Sequence, residues 1–157
     1  MMKKYLLLIV EGQGLFEAGL NLIAMPDLAL EISGKVDNCA DALRLVQELK
    51  PDLILMDLSM LGHQGIKAIG TIKRNSPQTK IVVLTSERSE VLLRLSLKAG
   101  ANGYMVKDMS ADELRIAIRT VLKGKLHLSP DITDLVIGGY LLSEPFPGNF
   151  PAMRTFA

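Results

Sequence analysis

The sequence is poor in cysteine and in aromatic residues, and each shortage excludes a class of protein. A single cysteine, Cys39, leaves no partner for an internal disulfide and is typical of a reducing compartment. Tryptophan is absent and aromatic residues make up 4% of the chain, so the hydrophobic 48% predicts an aliphatic core. The formal net charge is +1, without the basic stripe expected of a nucleic-acid-binding surface.

Long hydrophobic runs are also lacking. The run from Tyr5 to Val10 follows two lysines, as the core of a signal peptide would, but it stops after six residues at Glu11. No small-residue cleavage site follows, and no apolar stretch approaches the length that spans a bilayer. We therefore expect a soluble cytoplasmic protein without a membrane partner.

Short apolar runs alternate with longer segments that carry helical periodicity. Helix signals include the stripe within "ADALRLVQELKP", a capping box formed by Ser110 and Glu113, and the segment Glu87 to Ala99 closed by Gly100. This alternation predicts five strands and five helices in a parallel sheet covered on both faces. The predicted strands are Tyr5 to Val10, Leu28 to Val36, Leu53 to Met56, Lys80 to Leu84 and Asn102 to Val106.

The residues that leave the strands carry the chemistry. They are Glu11 after the first strand, Asp57 after the third, Thr85 after the fourth and Lys107 after the fifth, and the carboxyl ends of such strands line one crevice. Taken singly, each has an ordinary explanation: a helix cap for Asp57, a turn for Thr85, and surface charges for Lys107 and Glu11.

Taken jointly, these residues suit phosphoryl transfer to a carboxylate. Asp57 can attack phosphorus and hold an acyl phosphate. Lys107 and Thr85 can then contact two of the phosphoryl oxygens, and a divalent cation can hold the third. Mg²⁺ is the expected cofactor, because it is held by one or two carboxylates together with phosphate oxygens and water.

The motifs resemble those of the receiver domain of bacterial two-component response regulators. The resemblance runs from about Lys3 to Gly124 and is strongest in "PDLILMDLSMLGHQG", "IVVLTS" and "LKAGANGYMVKDMSADEL". These motifs and the "LSP" that follows are similar to the NarL/FixJ (LuxR-type) class. The resemblance implies an α/β, doubly wound, five-stranded parallel sheet of flavodoxin-like strand order 2-1-3-4-5. It also implies a non-enzymatic signalling protein that receives phosphoryl groups from a histidine kinase.

The same resemblance assigns roles to single residues. Asp57 matches the phosphoacceptor, Thr85 the switch hydroxyl, Lys107 the lysine of the site and Tyr104 the switch aromatic. The backbone carbonyl of Ser59 matches a ligand of the cation. Alone, Tyr104 is equally readable as a strand residue that packs on the sheet edge.

The first loop departs from the family pattern. The family carries two adjacent acids after the first strand, and the second is the direct metal ligand, whereas this chain has Glu11 followed by Gly12. We therefore expect a weakened Mg²⁺ site formed by Glu11, Asp57 and the Ser59 carbonyl. Leu61 replaces a usual proline and is expected to loosen the loop that carries Ser59.

Residues 1–128 are predicted to form the receiver domain, and residues 129–157 a short helix and an irregular tail. The tail lacks two amphipathic helices and a basic recognition helix, so this chain alone is not expected to bind DNA. Either the receiver stands alone or a longer protein continues beyond it.

Output is expected through protein contacts, with a possible homodimer through the fourth and fifth predicted helices or the first and fifth. Apolar residues surround the fourth predicted helix and favour a self-association surface there, although a deeply buried helix explains them equally well. They are Val91, Leu92, Leu93, Leu95 and Leu97.

Three hypotheses about function follow. The chain is either a phosphorylation switch or a pseudo-receiver that acts as a phosphorylation-independent interaction module. A flavodoxin-like catalyst is the third, but the "EGQG" loop lacks the Ser and Thr residues that a flavin phosphate cradle would need.

Overall fold

A computed structural model of the chain describes residues 4–10, 21–22, 24–130 and 132–134. Residues 11–20, between the first strand and the next described segment, lie outside these ranges, and the helix predicted there receives no label. The strands are β1 (Tyr5–Val10), β2 (Leu30–Val36), β3 (Leu53–Asp57), β4 (Lys80–Thr85), β5 (Gly103–Val106) and β6 (His127–Leu128). The helices are α1 (Cys39–Leu49), α2 (Leu58–Asn75), α3 (Glu90–Ala99) and α4 (Ala111–Leu122). The labels α1 to α4 therefore denote the second to fifth predicted helices.

The strands form one parallel sheet in the order β2-β1-β3-β4-β5-β6. The predicted order 2-1-3-4-5 is therefore confirmed, with the short β6 added beside β5. The inner strands are nearly continuous runs of buried residues, as a parallel sheet covered on both faces requires. β6 was not predicted, because two residues carry no detectable strand periodicity.

The sheet separates two layers of aliphatic core. Along β1, Leu8 and Val10 point to one layer, while Leu7 and Ile9 point to the other. The first layer is completed by α1, α2 and α3, and the second by α4. This packing on both faces leaves the carboxyl ends of the strands as the edge on which side chains can meet.

Polar caps set the starts of the helices. Asn38 caps α1, Ser89 caps α3 and Ser110 caps α4, in each case by accepting a hydrogen bond from a backbone N–H three residues on. The Ser110 cap confirms this end of the predicted capping box. The Ser89 cap explains why α3 begins at Glu90 and not at Glu87.

β2 begins two residues later than predicted. Residues Pro26–Leu28 form a turn of 3-10 helix, and Ala29 then adopts a left-handed conformation with φ of 51°. The apolar Leu28 is buried by this turn and not by a strand. Apolar character alone therefore placed the boundary too early.

Packing continues beyond α4. Leu128 and Ile132 lie in the same core layer as Tyr104, and the Ser129 N–H donates to the Tyr104 carbonyl at 3.2 Å. The segment after α4 is thereby attached to β5. The predicted domain boundary after Leu128 stays a prediction, and most of the predicted tail lies outside the described residues.

The apolar residues of α3 are not equivalent. Leu93 is fully buried in the core, whereas Val91 is 63% exposed. Leu93 therefore cannot contribute to a self-association surface, because it shares the sheet-facing side of α3 with the buried Ser96. The exposed Val91 could belong to the predicted self-association surface on α3, which stays a prediction.

No helix within the described part of the chain is long and apolar enough to cross a membrane.

Candidate functional site

Asp57 ends β3 and caps α2. Its side chain is fully buried, and Oδ1 accepts a hydrogen bond from the Ser59 N–H at 2.9 Å. The interpretation of Asp57 as a helix cap is therefore confirmed. The cap holds the carboxylate in place but occupies only one of its two oxygens, so Oδ2 can serve another purpose.

Lys107 supplies the partner of that second oxygen. Its Nζ lies 2.5 Å from Asp57 Oδ2, while its side chain remains 33% exposed. Oδ2 accepts no other hydrogen bond from the described residues. The backbone N–H of Lys107 donates to the Thr85 carbonyl at 2.8 Å, which continues the pairing of β4 with β5 into the site. The charge of Lys107 is thus brought to the buried carboxylate by the sheet itself.

Thr85 ends β4 one residue beyond Leu84, the register partner of Asp57. It is fully buried, and its Oγ1 accepts a hydrogen bond from the Glu87 N–H at 3.1 Å. A hydroxyl group can also donate one hydrogen bond. A buried donor on the strand next to Asp57 suits an oxygen of a group attached to that carboxylate.

Tyr104 is fully buried on β5. Burial, with a smaller contribution from the charge of Glu87, raises the pKa of Tyr104 to about 12, and the neighbouring Thr85 hydroxyl opposes this rise. The two hydroxyls are neighbours, but the Tyr104 hydroxyl forms no well-shaped hydrogen bond within the described residues. Tyr104 therefore packs in the core as a strand residue would, with its polar end beside Thr85.

Sequence reasoning missed a bridge across the mouth of the site. Ser59 Oγ accepts a hydrogen bond from the Ser86 N–H at 2.8 Å, and the two serine hydroxyl oxygens are 3.0 Å apart. Ser59 lies in the first turn of α2 and Ser86 follows β4, so the bridge joins two residues that are 27 positions apart. The available signal was their position one or two residues after the strand ends Thr85 and Asp57.

Among the described residues predicted to hold a metal at this edge, Asp57 is the carboxylate. Among the residues that the structure describes, there is no group of three or more His, Cys, Asp or Glu side chains that could hold a metal ion. Glu11 and Gly12, on which the prediction of a weakened site depends, lie outside the described residues. Asp57 and the Ser59 carbonyl are oxygen ligands of the kind that Mg²⁺ prefers. Protein sites for Mg²⁺ usually supply one or two carboxylates, so a single carboxylate is the smaller of the usual numbers.

The arrangement gives a carboxylate nucleophile a preset electrostatic environment. Asp57 is buried, oriented by a backbone N–H and adjacent to an ammonium group, while Thr85 adds a hydroxyl donor nearby. An electrophile with negatively charged oxygens would meet positive charge and a donor at the same edge. Phosphorus in a phosphoryl donor is such an electrophile.

Comparison with known proteins points in the same direction. Residues 7–119 match the family described as the response regulator receiver domain. The chain is 35% identical over 127 residues to the response regulator GacA of Pseudomonas aeruginosa and 32% identical over 142 residues to the transcriptional regulatory protein LnrK of Bacillus subtilis. These matches cover 81% and 90% of the chain but only 59% and 64% of the relatives. The chain therefore spans about three fifths of the length of these curated relatives.

Solved structures share the fold. A LuxR-family two-component response regulator from Aurantimonas sp. SI85-9A1 aligns with a TM-score of 0.77 at 24% identity, covering 88% of this chain and 99% of that one. The isolated receiver domain of RcsB from Salmonella enterica serovar Typhimurium, solved with the phosphomimetic BeF3⁻, aligns with a TM-score of 0.74 at 23% identity. That alignment covers 85% of this chain and 99% of the receiver domain.

Proposed function

This chain belongs to the response regulator receiver domain family, and we propose that it accepts a phosphoryl group on Asp57 from a histidine kinase. The observation that carries the proposal is the contact between the buried Asp57 carboxylate and Lys107 Nζ at the carboxyl edge of the sheet. A buried carboxylate at a strand end requires a compensating charge, and here that charge stands where a phosphate would also need it. We propose a signalling protein and not an enzyme.

The transfer is a displacement at phosphorus. An oxygen of Asp57 attacks with its lone pair and forms the new O–P bond, while the bond from phosphorus to the kinase imidazole nitrogen breaks. That nitrogen keeps the electron pair and takes up a proton. With acetyl phosphate as donor, acetate leaves with the electron pair and no proton is required. Lys107 and Thr85 then contact the phosphoryl oxygens.

We propose that Mg²⁺ is bound weakly at this site. Asp57, the Ser59 carbonyl and Glu11 would hold the cation, which would offset negative charge on the carboxylate and the phosphoryl oxygens. Gly12 replaces the acid that the family uses as a direct ligand, so one carboxylate is missing. Changes in the outer shell of a metal site already lower affinity about 10- to 100-fold, so losing a direct ligand should lower it at least as much.

The test is modification of Asp57 by acetyl phosphate, followed by intact-mass measurement with and without Mg²⁺. We expect slow gain of one phosphoryl group that Asp57→Asn abolishes. Gly12→Asp should raise both Mg²⁺ affinity and rate by about 10-fold or more, and Gly12→Asn should raise them much less. Wild-type protein that binds Mg²⁺ tightly and gains nothing from Gly12→Asp would contradict the weakened site.

The pseudo-receiver is the alternative that Gly12 keeps open. In that case, Asp57 would stay unmodified at saturating Mg²⁺ and acetyl phosphate, in wild type and in Gly12→Asp alike. The Asp57–Lys107 pair would then be a structural ion pair at the cap of α2. The same experiment therefore separates the two functions.

We further propose that output passes through protein contacts, including a homodimer through α3 and α4 (the fourth and fifth predicted helices) or through the first predicted helix and α4. One related structure is described as a complex of RcsB with DNA, which concerns that longer protein. This chain alone, with its balanced charge, is not expected to bind duplex DNA. A sequence-specific complex below micromolar protein in a gel-shift assay would contradict this.

A further inference from the structure

The amide of Ser86 lies at the mouth of the site and is occupied by a side chain. Ser86 directly follows Thr85, and its N–H donates to Ser59 Oγ at 2.8 Å. Ser59 in turn donates its own N–H to Asp57 Oδ1 at 2.9 Å. Two consecutive hydrogen bonds therefore connect the Ser86 amide to the carboxylate of Asp57, which places this amide within reach of a group attached to that carboxylate.

A phosphoryl group on Asp57 would bring three equatorial oxygens to this edge. Lys107 can serve one oxygen and the Thr85 hydroxyl another. The third would depend on a cation whose site lacks a carboxylate, unless a backbone amide donates to it. A backbone N–H is a strong donor to a charged oxygen, and the Ser86 amide is the one that a side chain now holds.

We propose that Ser59 is a positioning residue whose hydroxyl acts as a latch on the Ser86 amide. The inference rests on the proposed function of Asp57 as phosphoacceptor. While the hydroxyl holds the amide, the unphosphorylated mouth is satisfied by internal hydrogen bonds. Phosphoryl transfer requires Ser59 Oγ to release the Ser86 N–H, which then donates to a phosphoryl oxygen. Ser59 thus slows phosphorylation without contacting the phosphoryl group.

The substitution Ser59→Ala tests the latch. It removes the acceptor of the Ser86 amide but keeps the Ser59 amide that holds Asp57 and the carbonyl predicted to contact Mg²⁺. We expect modification by acetyl phosphate at fixed Mg²⁺ to become about 2- to 10-fold faster, because one hydrogen bond no longer has to break before transfer. Ser59→Thr keeps a hydroxyl and should return the rate toward that of wild type.

A second measurement follows the amide itself. In ¹⁵N-labelled protein, hydrogen exchange of the Ser86 amide should be faster in Ser59→Ala than in wild type. Ser33→Ala is the matched control, since it removes a hydroxyl that also joins two elements, by donating to the Leu7 carbonyl at 3.1 Å, far along the sheet. It should change neither the Ser86 exchange rate nor the phosphorylation rate.

The outcomes separate this inference from the proposed function. If Asp57 is modified equally fast or more slowly in Ser59→Ala, or if Ser86 exchange is unchanged, the latch is wrong while the phosphoacceptor role stands. If Asp57 is modified in none of the variants, the proposed function fails, and the latch fails with it. Faster modification in Ser59→Ala, reversed in Ser59→Thr, supports both.

Discussion

Removing Lys107 should destabilise the fold far more than removing the carboxylate with which it pairs. The side chain of Asp57 is fully buried, whereas that of Lys107 is 33% exposed. Lys107→Met leaves a negative charge in the interior, where the Ser59 amide is its remaining hydrogen-bond donor among the described residues. Asp57→Asn leaves a positive charge that can move toward water, and the new amide oxygen can still accept from Ser59.

The magnitudes follow from burial. Breaking a buried ion pair by removing one partner costs about 3–5 kcal/mol of unfolding free energy. Because Lys107 is partly exposed and the Ser59 hydrogen bond survives, we expect Lys107→Met to cost about 2–3 kcal/mol. Asp57→Asn removes the buried charge itself, so we expect a change within about 1 kcal/mol. Lys67→Met, on the exposed side of α2, should stay within about 0.5 kcal/mol.

Urea denaturation at pH 7, with a chelator present so that no divalent ion compensates the charge, measures these differences. The double variant Asp57→Asn/Lys107→Met should be nearly as stable as Asp57→Asn, because no buried charge remains to be compensated. The coupling between the two sites would then equal the cost of Lys107→Met alone, about 2–3 kcal/mol. If Lys107→Met proves no more costly than Asp57→Asn, or if the two effects add, the argument from the buried charge is refuted.

Four other residues give simpler tests. Tyr104→Phe should leave the free energy of unfolding unchanged or raise it by up to about 1 kcal/mol, because the buried hydroxyl forms no hydrogen bond of good geometry with the described residues. A loss above about 1 kcal/mol in urea denaturation would show that the hydroxyl has a partner. Burial lowers the pKa of His127, and the charge of Glu113 only partly opposes this, so stability should be full above about pH 6.5 and fall as pH drops through that value. The slope of melting temperature between pH 7.5 and 5.5 should flatten in His127→Gln, and an unchanged slope would exclude the histidine as its cause. Leu93→Glu should prevent folding or cost at least about 4 kcal/mol, whereas Val91→Glu should fold normally and, if α3 self-associates, sediment as a smaller species. Normal folding of Leu93→Glu would contradict its burial.

Most of the architecture was predictable, because it depends on local pattern. Apolar runs such as Lys80–Thr85 alternate with helical stripes, and this rhythm permits few arrangements other than a parallel sheet covered on both faces. The meeting of Asp57, Thr85 and Lys107 followed from the same fact, since residues that leave parallel strands share one edge. Their roles stay predictions until phosphorylation is measured.

The features that the sequence did not predict are contacts between residues that are far apart in the chain. The bridge between Ser59 and Ser86 joins residues with no periodicity to connect them, and it exists only because β3 and β4 are neighbours in register. β6 is two residues long and is defined by its pairing with Gly103 and Tyr104, not by its own composition. Leu93 and Val91 are both apolar, and only the packing of α3 separates the buried residue from the exposed one.

The groups that surround the Asp57 carboxylate already form contacts with one another. Lys107 pairs with Asp57, the Ser59 amide holds the other carboxylate oxygen, and the Ser59 hydroxyl holds the Ser86 amide. Phosphorylation of Asp57 would replace internal partners with phosphoryl oxygens and would not fill empty positions. The net free energy of such an exchange is a difference between interactions of similar kind, so it is expected to be small. A small difference is what a reversible switch requires, because a ligand shifts a population only by its differential affinity for the two states. The free energy of unfolding should therefore change little on modification, while Lys107 and the Ser86 amide exchange their present partners for phosphoryl oxygens.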